Sequence, residues 1–374
     1  MRIGIVCYPT IGGSGVVATE LGKALADKGH QVHFITYDQP VRLSELGKNI
    51  FYHEVMVSQY PLFQYTPYEL VLTSKLVDVV KHEKLDLLHV HYAIPHASAA
   101  YMAQQILKQQ GINIPFITTL HGTDITLVGK DPSFEPVITF SINNSNAVTA
   151  VSESLKGDTL KNFDVEPEIQ VIPNFICPER HQVIDNSELK ETYAPNGERV
   201  IMHMSNFRPV KRVHDVLKTF ALIREKIPAK MILVGDGPDR FSAEKMCREL
   251  GTCQDTFFLG KVKDVEEVID IADLFVLPSQ TESFGLAALE AMISRVPVIT
   301  TNAGGLSEVM EQGVSGFMSE VGDVNDMAKN ALKILKDDES LEQFRAGAFK
   351  QANKFDIKNI LPHYENLYNN VLSQ

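Results

Sequence analysis

Short apolar runs alternate with amphipathic segments along most of the 374-residue chain. The runs are rich in Val, Ile and Phe, as the buried strands of parallel sheets are, and the segments between them repeat apolar residues at helical spacing. This alternation predicts an α/β protein in which helices cover parallel sheets. Strands are predicted in the first half at residues 2–8, 31–37, 85–92, 114–122 and 146–152.

The second half of the chain repeats the order of the first. Strands are predicted there at residues 199–205, 229–239, 255–260, 272–279, 296–301 and 316–321. In both halves the first strand is followed by a turn, an amphipathic helix and a second strand. The pattern therefore predicts two doubly wound domains in tandem, each able to bury its own core.

A polar stretch with several prolines separates the two series of strands. We predict an N-terminal Rossmann-like domain at residues 1–172, a linker at 173–198 and a C-terminal Rossmann-like domain at 199–353. Residues 354–374 show the apolar spacing of one more helix. Ligands of open parallel sheets gather at the carboxyl ends of the strands, so a site between two such domains would draw loops from both.

Composition narrows the classes of partner. The formal net charge of −12 disfavours nucleic acid or a membrane as the main partner, although a local basic cluster can still bind phosphate. No run reaches the roughly 18 apolar residues of a membrane helix and the first residues do not resemble a signal peptide, so we expect a cytoplasmic protein. The four cysteines lack CxxC spacing, which predicts free thiols rather than disulfides or a zinc site.

The turn after the first strand carries a glycine motif. Residues 13–18 read G-x-G-x-x-A, the spacing of a dinucleotide-binding turn, and Asp38 ends the next strand. A nicotinamide cofactor is one interpretation. The other is structural, because a glycine-rich turn lets the first helix pack closely against the sheet. In both cases the backbone N–H groups at the start of the helix are predicted to face an anion.

A second anion-binding turn is predicted after the first strand of the second half. Arg208, Lys211 and Arg212 lie together there in a chain that is otherwise acidic. The planar guanidinium of Arg and the ammonium of Lys suit two linked phosphates, although three cations can also form an ordinary solvated surface.

Residues 278–292 carry the most informative pattern in the chain. A strand ends there, a polar turn follows, and a helix is predicted from Phe284 onward with Ser283 as its N-cap. The N–H groups of Phe284, Gly285 and Leu286 would then form a cradle for a pyrophosphate.

Two carboxylates, Glu282 and Glu290, flank this cradle with seven residues between them. Both are ordinary surface residues on one interpretation. Glu290 is flanked by Ala and Leu in an apolar helix, however, and a carboxylate in that setting needs a hydrogen-bonding partner. The hydroxyl groups of a sugar would supply one.

Histidines gather at the ends of two predicted strands of the first half. His89, His91 and His96 belong to one strand end, and His121 follows another strand, beside Gly122. His89 and His91 share one face of a strand, so a metal site is one interpretation. Hydrogen bonding to a ligand is the other, and His121 is the first candidate because Gly122 lets the backbone approach a ligand closely.

Together these residues resemble a retaining glycosyltransferase of the GT-B type, in family four, over nearly the whole chain. The most specific element is E-x7-E, from Glu282 to Glu290. The resemblance implies two Rossmann-like doubly wound domains that face each other across a cleft. It also implies that the last helix, residues 354–374, crosses back to the first domain, whereas packing on the second domain is the alternative. The interval from Arg208 to Lys211 is two residues shorter than in many members of the family.

A closer resemblance lies in residues 7–36, 89–97, 118–129 and 205–213. They are similar to family-four enzymes that transfer N-acetylglucosamine from UDP-N-acetylglucosamine to the hydroxyl group of L-malate, the first step of bacillithiol biosynthesis. The resemblance alone implies this donor and this acceptor. It implies no obligatory metal or other cofactor, and it leaves a homo-oligomer open.

The resemblance also assigns roles to single residues. Glu282 would hold the hydroxyl groups of the donor sugar, and Glu290 those of the ribose. Arg208 and Lys211 would bind the diphosphate and stabilise the charge that grows on UDP. His121 would lie against the sugar near its anomeric carbon and act in catalysis with Glu282 and the two cations. The remaining implied contacts are to the donor at Gly13, Phe284, Gly285 and Leu286, and to the acceptor at Ser14, Tyr92 and Thr123.

A retaining transfer proceeds either through a protein nucleophile or by attack on the face from which the leaving group departs. No carboxylate near His121 is a compelling nucleophile, with Asp124 as the alternative, so we expect same-face transfer. Two other activities stay open: the same transfer to another acceptor, and an isomerase similar to UDP-N-acetylglucosamine 2-epimerase, which needs no acceptor. A nicotinamide dehydrogenase would leave the motifs of the second half unused.

Overall fold

The computed structural model describes residues 1–10, 12–43, 47–57, 67–127, 129, 131–181, 186–262 and 264–374. These residues form two compact units. Unit 1 consists of Met1–Phe175 and Ile357–Gln374, and unit 2 of Ile176–Asp356. The chain therefore passes from one unit to the next within the stretch expected to be a linker, of which residues 182–185 lie outside the described residues.

The strands of unit 1 form one parallel sheet. They are β1 (Arg2–Val6), β2 (Gln31–Thr36), β3 (Ile50–Glu54), β4 (Leu87–His91), β5 (Phe116–Leu120), β6 (Ala147–Ala150) and β7 (Ile169–Val171). Their order in the sheet is β3-β2-β1-β4-β5-β6-β7. The sequence predicted all of them except β3, whose residues are mostly half-exposed, and β7, which has only three residues.

The helices of unit 1 cover this sheet, and those in the first part of the chain are α1 (Gly13–Asp27), α2 (Tyr68–Glu83), α3 (Ser98–Gln109), α4 (Glu135–Asn143) and α5 (Glu153–Asn162). The predicted first helix is confirmed as α1. A Cβ atom on Gly15 would lie 2.4 Å from the carbonyl oxygen of Tyr8, so this glycine lets α1 start directly against the end of β1. The glycine motif therefore lets the first helix pack closely against the sheet, and this holds for any ligand of the turn.

Unit 2 repeats the architecture with another parallel sheet. Its strands are β8 (Arg199–Met204), β9 (Ala229–Val234), β10 (Thr256–Gly260), β11 (Leu274–Leu277), β12 (Val298–Thr301) and β13 (Gly316–Ser319), in the order β10-β9-β8-β11-β12-β13. Its helices are α6 (Ser187–Tyr193), α7 (Val213–Arg224), α8 (Arg240–Glu249), α9 (Val265–Asp270), α10 (Leu286–Ile293), α11 (Leu306–Val309), α12 (Val324–Leu335) and α13 (Asp338–Ala352). Every strand predicted in this half is confirmed.

The last helix, α14 (Ile357–Leu372), belongs to unit 1. Its apolar side is buried, and the rings of Tyr364 and Tyr368 are fully enclosed. The Tyr368 hydroxyl is hydrogen-bonded to Nδ1 of His89 on β4 at 2.7 Å. Among the described residues, no helix is both long and apolar enough to span a membrane.

Each sheet has one point at which the strand order reverses. It lies between β1 and β4 in unit 1 and between β8 and β11 in unit 2. In open parallel sheets the loops beyond the carboxyl ends of such strands form the crevice that binds ligands. The loops after β1, β4, β8 and β11 are therefore the candidate ligand-binding loops.

Candidate functional site

In unit 1, the loops after β1 and β4 meet through a side-chain hydrogen bond. Tyr92 follows β4, and its hydroxyl donates to Oγ of Ser14 on α1 at 2.6 Å. Burial raises the pKa of Tyr92 to about 12, so the phenol keeps its proton at neutral pH. The residue also adopts a φ of 85°, which a large side chain rarely tolerates outside functional sites. Gly13 is exposed beside this pair, at the first position of α1.

His121 lies next to these residues, directly after β5. Its Nε2 shares a hydrogen bond of 2.8 Å with Nδ1 of His91, the last residue of β4. Burial lowers the pKa of His121 to about 3 and that of His91 well below the usual value for histidine. Both imidazoles are therefore neutral near pH 7. His121 can exchange hydrogen bonds with sugar hydroxyl groups, but it does not offer a positive charge to an anion.

The metal site considered for the histidines near β4 conflicts with the contacts of His89. Its Nδ1 contacts the Tyr368 hydroxyl, and its Nε2 contacts Oγ1 of Thr119 at 2.7 Å. His96 is hydrogen-bonded to the backbone carbonyl of His91. Since both ring nitrogens of His89 have hydrogen-bond partners, this histidine serves the packing of unit 1 rather than a metal ion.

Asp124 connects the loops after β4 and β5. Its Oδ2 accepts from the backbone N–H of Ala93 at 2.9 Å, and its Oδ1 accepts from that of Gly122 at 3.1 Å. Burial raises the pKa of Asp124 to about 6, and these backbone hydrogen bonds act in the opposite direction. The carboxylate thus fixes the position of two loops, while its neighbour Thr123 is exposed.

In unit 2, an ion pair spans the corresponding two loops. Lys211 follows β8 and donates from Nζ to Oε2 of Glu282, in the loop after β11, at 2.6 Å. The side chains are 21% and 16% exposed. The backbone N–H of Gln280 donates to the carbonyl of Val210 at 2.8 Å and ties the same two loops together. The sequence predicted both charged residues but not their pairing.

The three predicted cations of this loop separate into two roles. Arg208 is exposed next to Lys211. Arg212 instead forms an ion pair of 2.6 Å with Asp215 in the first turn of α7, so its charge serves the start of that helix. Lys211 is also paired with a carboxylate, but with that of Glu282, which is itself a predicted site residue, so Arg208 and Lys211 are the cations that lie with the candidate site.

The turn before α10 differs from the prediction. The helix begins at Leu286 rather than Phe284, and its N-cap is Gly285, with a φ of 102° and no side-chain capping bond. Ser283 as the cap was therefore wrong. The physical reason is that only glycine fits position 285. The backbone there has a left-handed φ, and a Cβ atom would lie 2.5 Å from Cδ2 of Leu306. The ring of Phe284 is buried against Phe355, so only its backbone can face a ligand.

One further backbone contact holds this turn, and the burial of Glu290 completes its description. The backbone carbonyl of Glu282 accepts from the N–H of Gly305 at 2.8 Å. Gly305 was not among the predicted site residues, although the glycine pair at residues 304–305 was the available signal. Glu290 lies on α10 and is 8% exposed, which confirms that this carboxylate is buried.

Family models match both halves of the chain. A model described as "Glycosyltransferase Family 4" matches residues 11–180, and one described as "Glycosyl transferases group 1" matches residues 185–351. The chain is 46% identical over 377 residues to the N-acetyl-alpha-D-glucosaminyl L-malate synthase of Bacillus anthracis, and the match covers 100% of this chain and 97% of that protein. An uncharacterized glycosyltransferase of Methanocaldococcus jannaschii is 26% identical over 389 residues, covering 98% of each chain.

Solved structures share the fold. HepE of Anabaena, crystallised with UDP and glucose, superposes with a TM-score of 0.82 at 21% identity, covering 98% of this chain and 99% of that one. Sucrose-phosphate synthase of Thermosynechococcus elongatus gives a TM-score of 0.81 at 19% identity, covering 100% and 99%. At these identities the likeness concerns the fold.

The two doubly wound parallel sheets agree with the GT-B fold of these solved structures, and the family models and relatives show a glycosyltransferase, an enzyme that uses a nucleotide-sugar donor. The chain belongs to glycosyltransferase family four, as the resemblance in its sequence implied. This membership assigns the glycine motif at residues 13–18 to a glycosyltransferase rather than to a nicotinamide dehydrogenase.

Proposed function

We propose that the chain transfers N-acetylglucosamine from UDP-N-acetylglucosamine to the hydroxyl group of L-malate with retention of anomeric configuration, as the first step of bacillithiol biosynthesis. The observation that carries this proposal is the 46% identity, along the full chain, to a relative named for that product. The arrangement of charged and neutral side chains in the two units supports it in the following way.

Unit 2 supplies the charges that a diphosphate leaving group needs. Lys211 and Arg208 bind the diphosphate and stabilise the negative charge that grows on UDP as the glycosidic bond breaks. Glu282 accepts hydrogen bonds from the sugar hydroxyl groups, and its contact with Lys211 orients both side chains. Glu290 binds the ribose. The backbone at the start of α10, at Phe284, Gly285 and Leu286, contacts the sugar and phosphate.

Unit 1 supplies neutral hydrogen-bonding groups. His121 lies against the donor sugar near its anomeric carbon and remains uncharged because it is buried. Tyr92 and Ser14, joined by their hydrogen bond, contact the L-malate, with Thr123 beside them. Gly13, at the amino end of α1, places a backbone N–H against the diphosphate.

The transfer occurs on one face of the sugar. The bond from the anomeric carbon to the phosphate oxygen breaks, the bond to the malate oxygen forms, and the malate hydroxyl proton passes to the departing phosphate oxygen. No protein nucleophile takes part in this step. Asp124 has a positioning role instead, because its two oxygens accept backbone hydrogen bonds from two loops. Catalysis then consists of positioning and electrostatic stabilisation.

Both proposed substrates are small soluble anions, so we place the enzyme in the cytoplasm. Sedimentation of the purified protein at several concentrations would show whether it forms a homo-oligomer.

A panel of acceptors tests the proposal. Purified protein is incubated with UDP-N-acetylglucosamine alone and with L-malate, D-malate, L-lactate or glycerate, and UDP release and conjugate mass are measured. We expect UDP release with L-malate and a conjugate of one N-acetylglucosamine and one malate. A new UDP-sugar isomer without acceptor would indicate an epimerase. Release only with lipid or polysaccharide acceptors would overturn the malate assignment and leave the transferase class standing.

A further inference from the structure

Three side chains that can bind metal ions lie together in unit 1. His33 is on β2, His53 is on β3, and Glu83 is the last residue of α2. One ligand atom from each of these residues lies within 4.8 Å of the other two. Two imidazoles and one carboxylate form a ligand set found in zinc sites with three protein ligands.

This group is separate from the candidate functional site. Nη1 of Arg2, the first residue of β1, donates to the backbone carbonyl of Glu83 at 3.3 Å, so Glu83 lies near the amino-terminal end of β1. Tyr92 and His121 follow the carboxyl ends of β4 and β5. His33, His53 and Glu83 were not among the predicted site residues.

The two imidazoles already face each other. Nδ1 of His33 and Nε2 of His53 are 3.0 Å apart. Two nitrogens bound to one tetrahedral zinc ion lie about 3.3 Å apart, so a shift of a few tenths of an ångström admits the ion. His33 is only 1% exposed, so an ion held at its ring would be shielded from solvent.

We propose that His33, His53 and Glu83 bind a divalent transition-metal ion, for which Zn²⁺ suits the ligand set best. The ion would link two strands and a helix at the outer side of the sheet, where β3 is the last strand. Its role is therefore to stabilise this part of unit 1. The proposal is independent of the sugar-transfer assignment.

Zinc binding to the full-length protein tests the proposal. The protein is stripped with a chelator, and Zn²⁺ is titrated against a chromophoric chelator, with metal content measured after dialysis. We expect one Zn²⁺ per chain and a higher melting temperature with zinc than without it. His53→Ala and Glu83→Gln should each weaken zinc binding by at least about tenfold. Both variants should retain the melting temperature of the zinc-free protein to within a few degrees and the activity of the wild type.

His82→Ala is the matched control. His82 is adjacent to Glu83 on α2, is 74% exposed, and does not belong to the group. It should bind zinc like the wild type. The proposal is overturned when the wild type binds no zinc at micromolar concentrations, when His53→Ala binds it as tightly as the wild type, or when His82→Ala loses as much affinity as His53→Ala.

Discussion

In each unit, a hydrogen bond of the same length joins the two loops at the point where the strand order reverses. The bonded groups are neutral in unit 1 and charged in unit 2. In unit 1, Tyr92 donates to Ser14 across the loops after β1 and β4, and both groups are neutral. In unit 2, Lys211 donates to Glu282 across the loops after β8 and β11, and both groups are charged. Each contact is 2.6 Å long.

This difference agrees with the proposed roles of the two units in glycosyl transfer. A departing diphosphate gains negative charge in the transition state, so cations near it lower the barrier. Sugar and acceptor hydroxyl groups stay neutral until a late stage, so a buried neutral imidazole such as His121 suits them. The proposed division assigns charge stabilisation to unit 2 and neutral positioning to unit 1.

The largest expected effect is at the charged contact of unit 2. Lys211→Ala removes a cation from the proposed diphosphate site and leaves Glu282 without this partner. We expect kcat to fall by on the order of 10²-fold, about 3 kcal/mol, as when an oxyanion-stabilising donor is removed. Initial rates of UDP release give kcat, and circular dichroism shows whether the fold is retained.

Lys218→Ala is the control for the loss of a lysine near this loop. Lys218 lies on α7, is 46% exposed and contacts Asp215 at 3.6 Å. It should keep the activity of the wild type. Turnover of Lys211→Ala close to that of the wild type would contradict the charge assignment of unit 2.

The second prediction concerns the stability of unit 1 at acidic pH. Burial lowers the pKa of His89 and His121 to about 3 and that of His96 to about 4. The unfolded chain binds protons at these rings near pH 6.5, whereas the folded chain does not until the pH is far lower. Their contribution to the stability of unit 1 is therefore complete above pH 6.5 and is lost as the pH falls toward the folded-state pKa values, by up to about 2 kcal/mol per ring at pH 5.

Asp124 opposes this trend. Its pKa is raised to about 6, so the folded chain binds a proton there that the unfolded chain binds only near pH 4. The opposing gain is about 1 kcal/mol at pH 5, smaller than the combined loss from the histidines. In unit 2, burial lowers the pKa of His203 to about 4, which is a smaller histidine contribution than that of unit 1.

Hydrogen exchange at pH 7.5 and pH 5, corrected for the intrinsic rate, checks this difference between the units. Peptides from β4 and β5 should lose more protection on acidification than peptides from β8 and β11. Equal losses in both sheets would show that the buried imidazoles do not set the acid stability of unit 1.

A third prediction tests the backbone of unit 2. Gly285→Ala introduces a side chain at a left-handed φ and against Leu306, so we expect a loss of about 1–3 kcal/mol of stability and a higher KM for UDP-N-acetylglucosamine. Gly251→Ala is the matched control, because Gly251 also has a positive φ but nothing within 4 Å of a Cβ atom. Thermal unfolding should show a loss in both variants, and donor KM should rise only in Gly285→Ala. An unchanged donor KM in Gly285→Ala would remove this turn from the donor site.

The smallest expected effect is at the neutral contact of unit 1. Tyr92→Phe deletes a hydroxyl whose hydrogen bond is worth about 1 kcal/mol, so we expect KM for L-malate to rise about fivefold with little change in kcat. Ser14→Ala should have a similar effect, and the double variant should be little worse than either single variant because both lose the same bond. Independent, additive effects would show that the pair does not act as one contact.

The sequence was sufficient for elements with a strong local pattern. The alternation of apolar runs predicted the strands that surround both reversal points, and E-x7-E at Glu282 and Glu290 indicated the family. The turn before α10 was misjudged because Ser283 is a favourable N-cap by type, whereas the left-handed backbone at Gly285 starts the helix later. The edge strand β3 was missed because a half-exposed strand shows no continuous apolar run.

Contacts between distant residues could not be predicted in this way. Lys211 and Glu282 are 71 positions apart, and His89 and Tyr368 are 279 positions apart. A single sequence shows which side chains are present but not which of them the fold brings together. For His89 the sequence left a metal ion and a hydrogen bond as alternatives, and the contacts with Tyr368 on α14 and Thr119 on β5 decided between them.

The proposed retaining transfer of N-acetylglucosamine to L-malate is tested most directly by the product formed from UDP-N-acetylglucosamine and L-malate. The conjugate is isolated from reactions of the wild type and of Lys211→Ala, and its mass and its anomeric proton coupling are measured by mass spectrometry and NMR. We predict one N-acetylglucosamine joined to the malate hydroxyl in the α configuration of the donor, formed on the order of 10²-fold more slowly by the variant. A β-linked product would contradict retention of configuration, and the absence of a conjugate with the wild type would contradict L-malate as the acceptor.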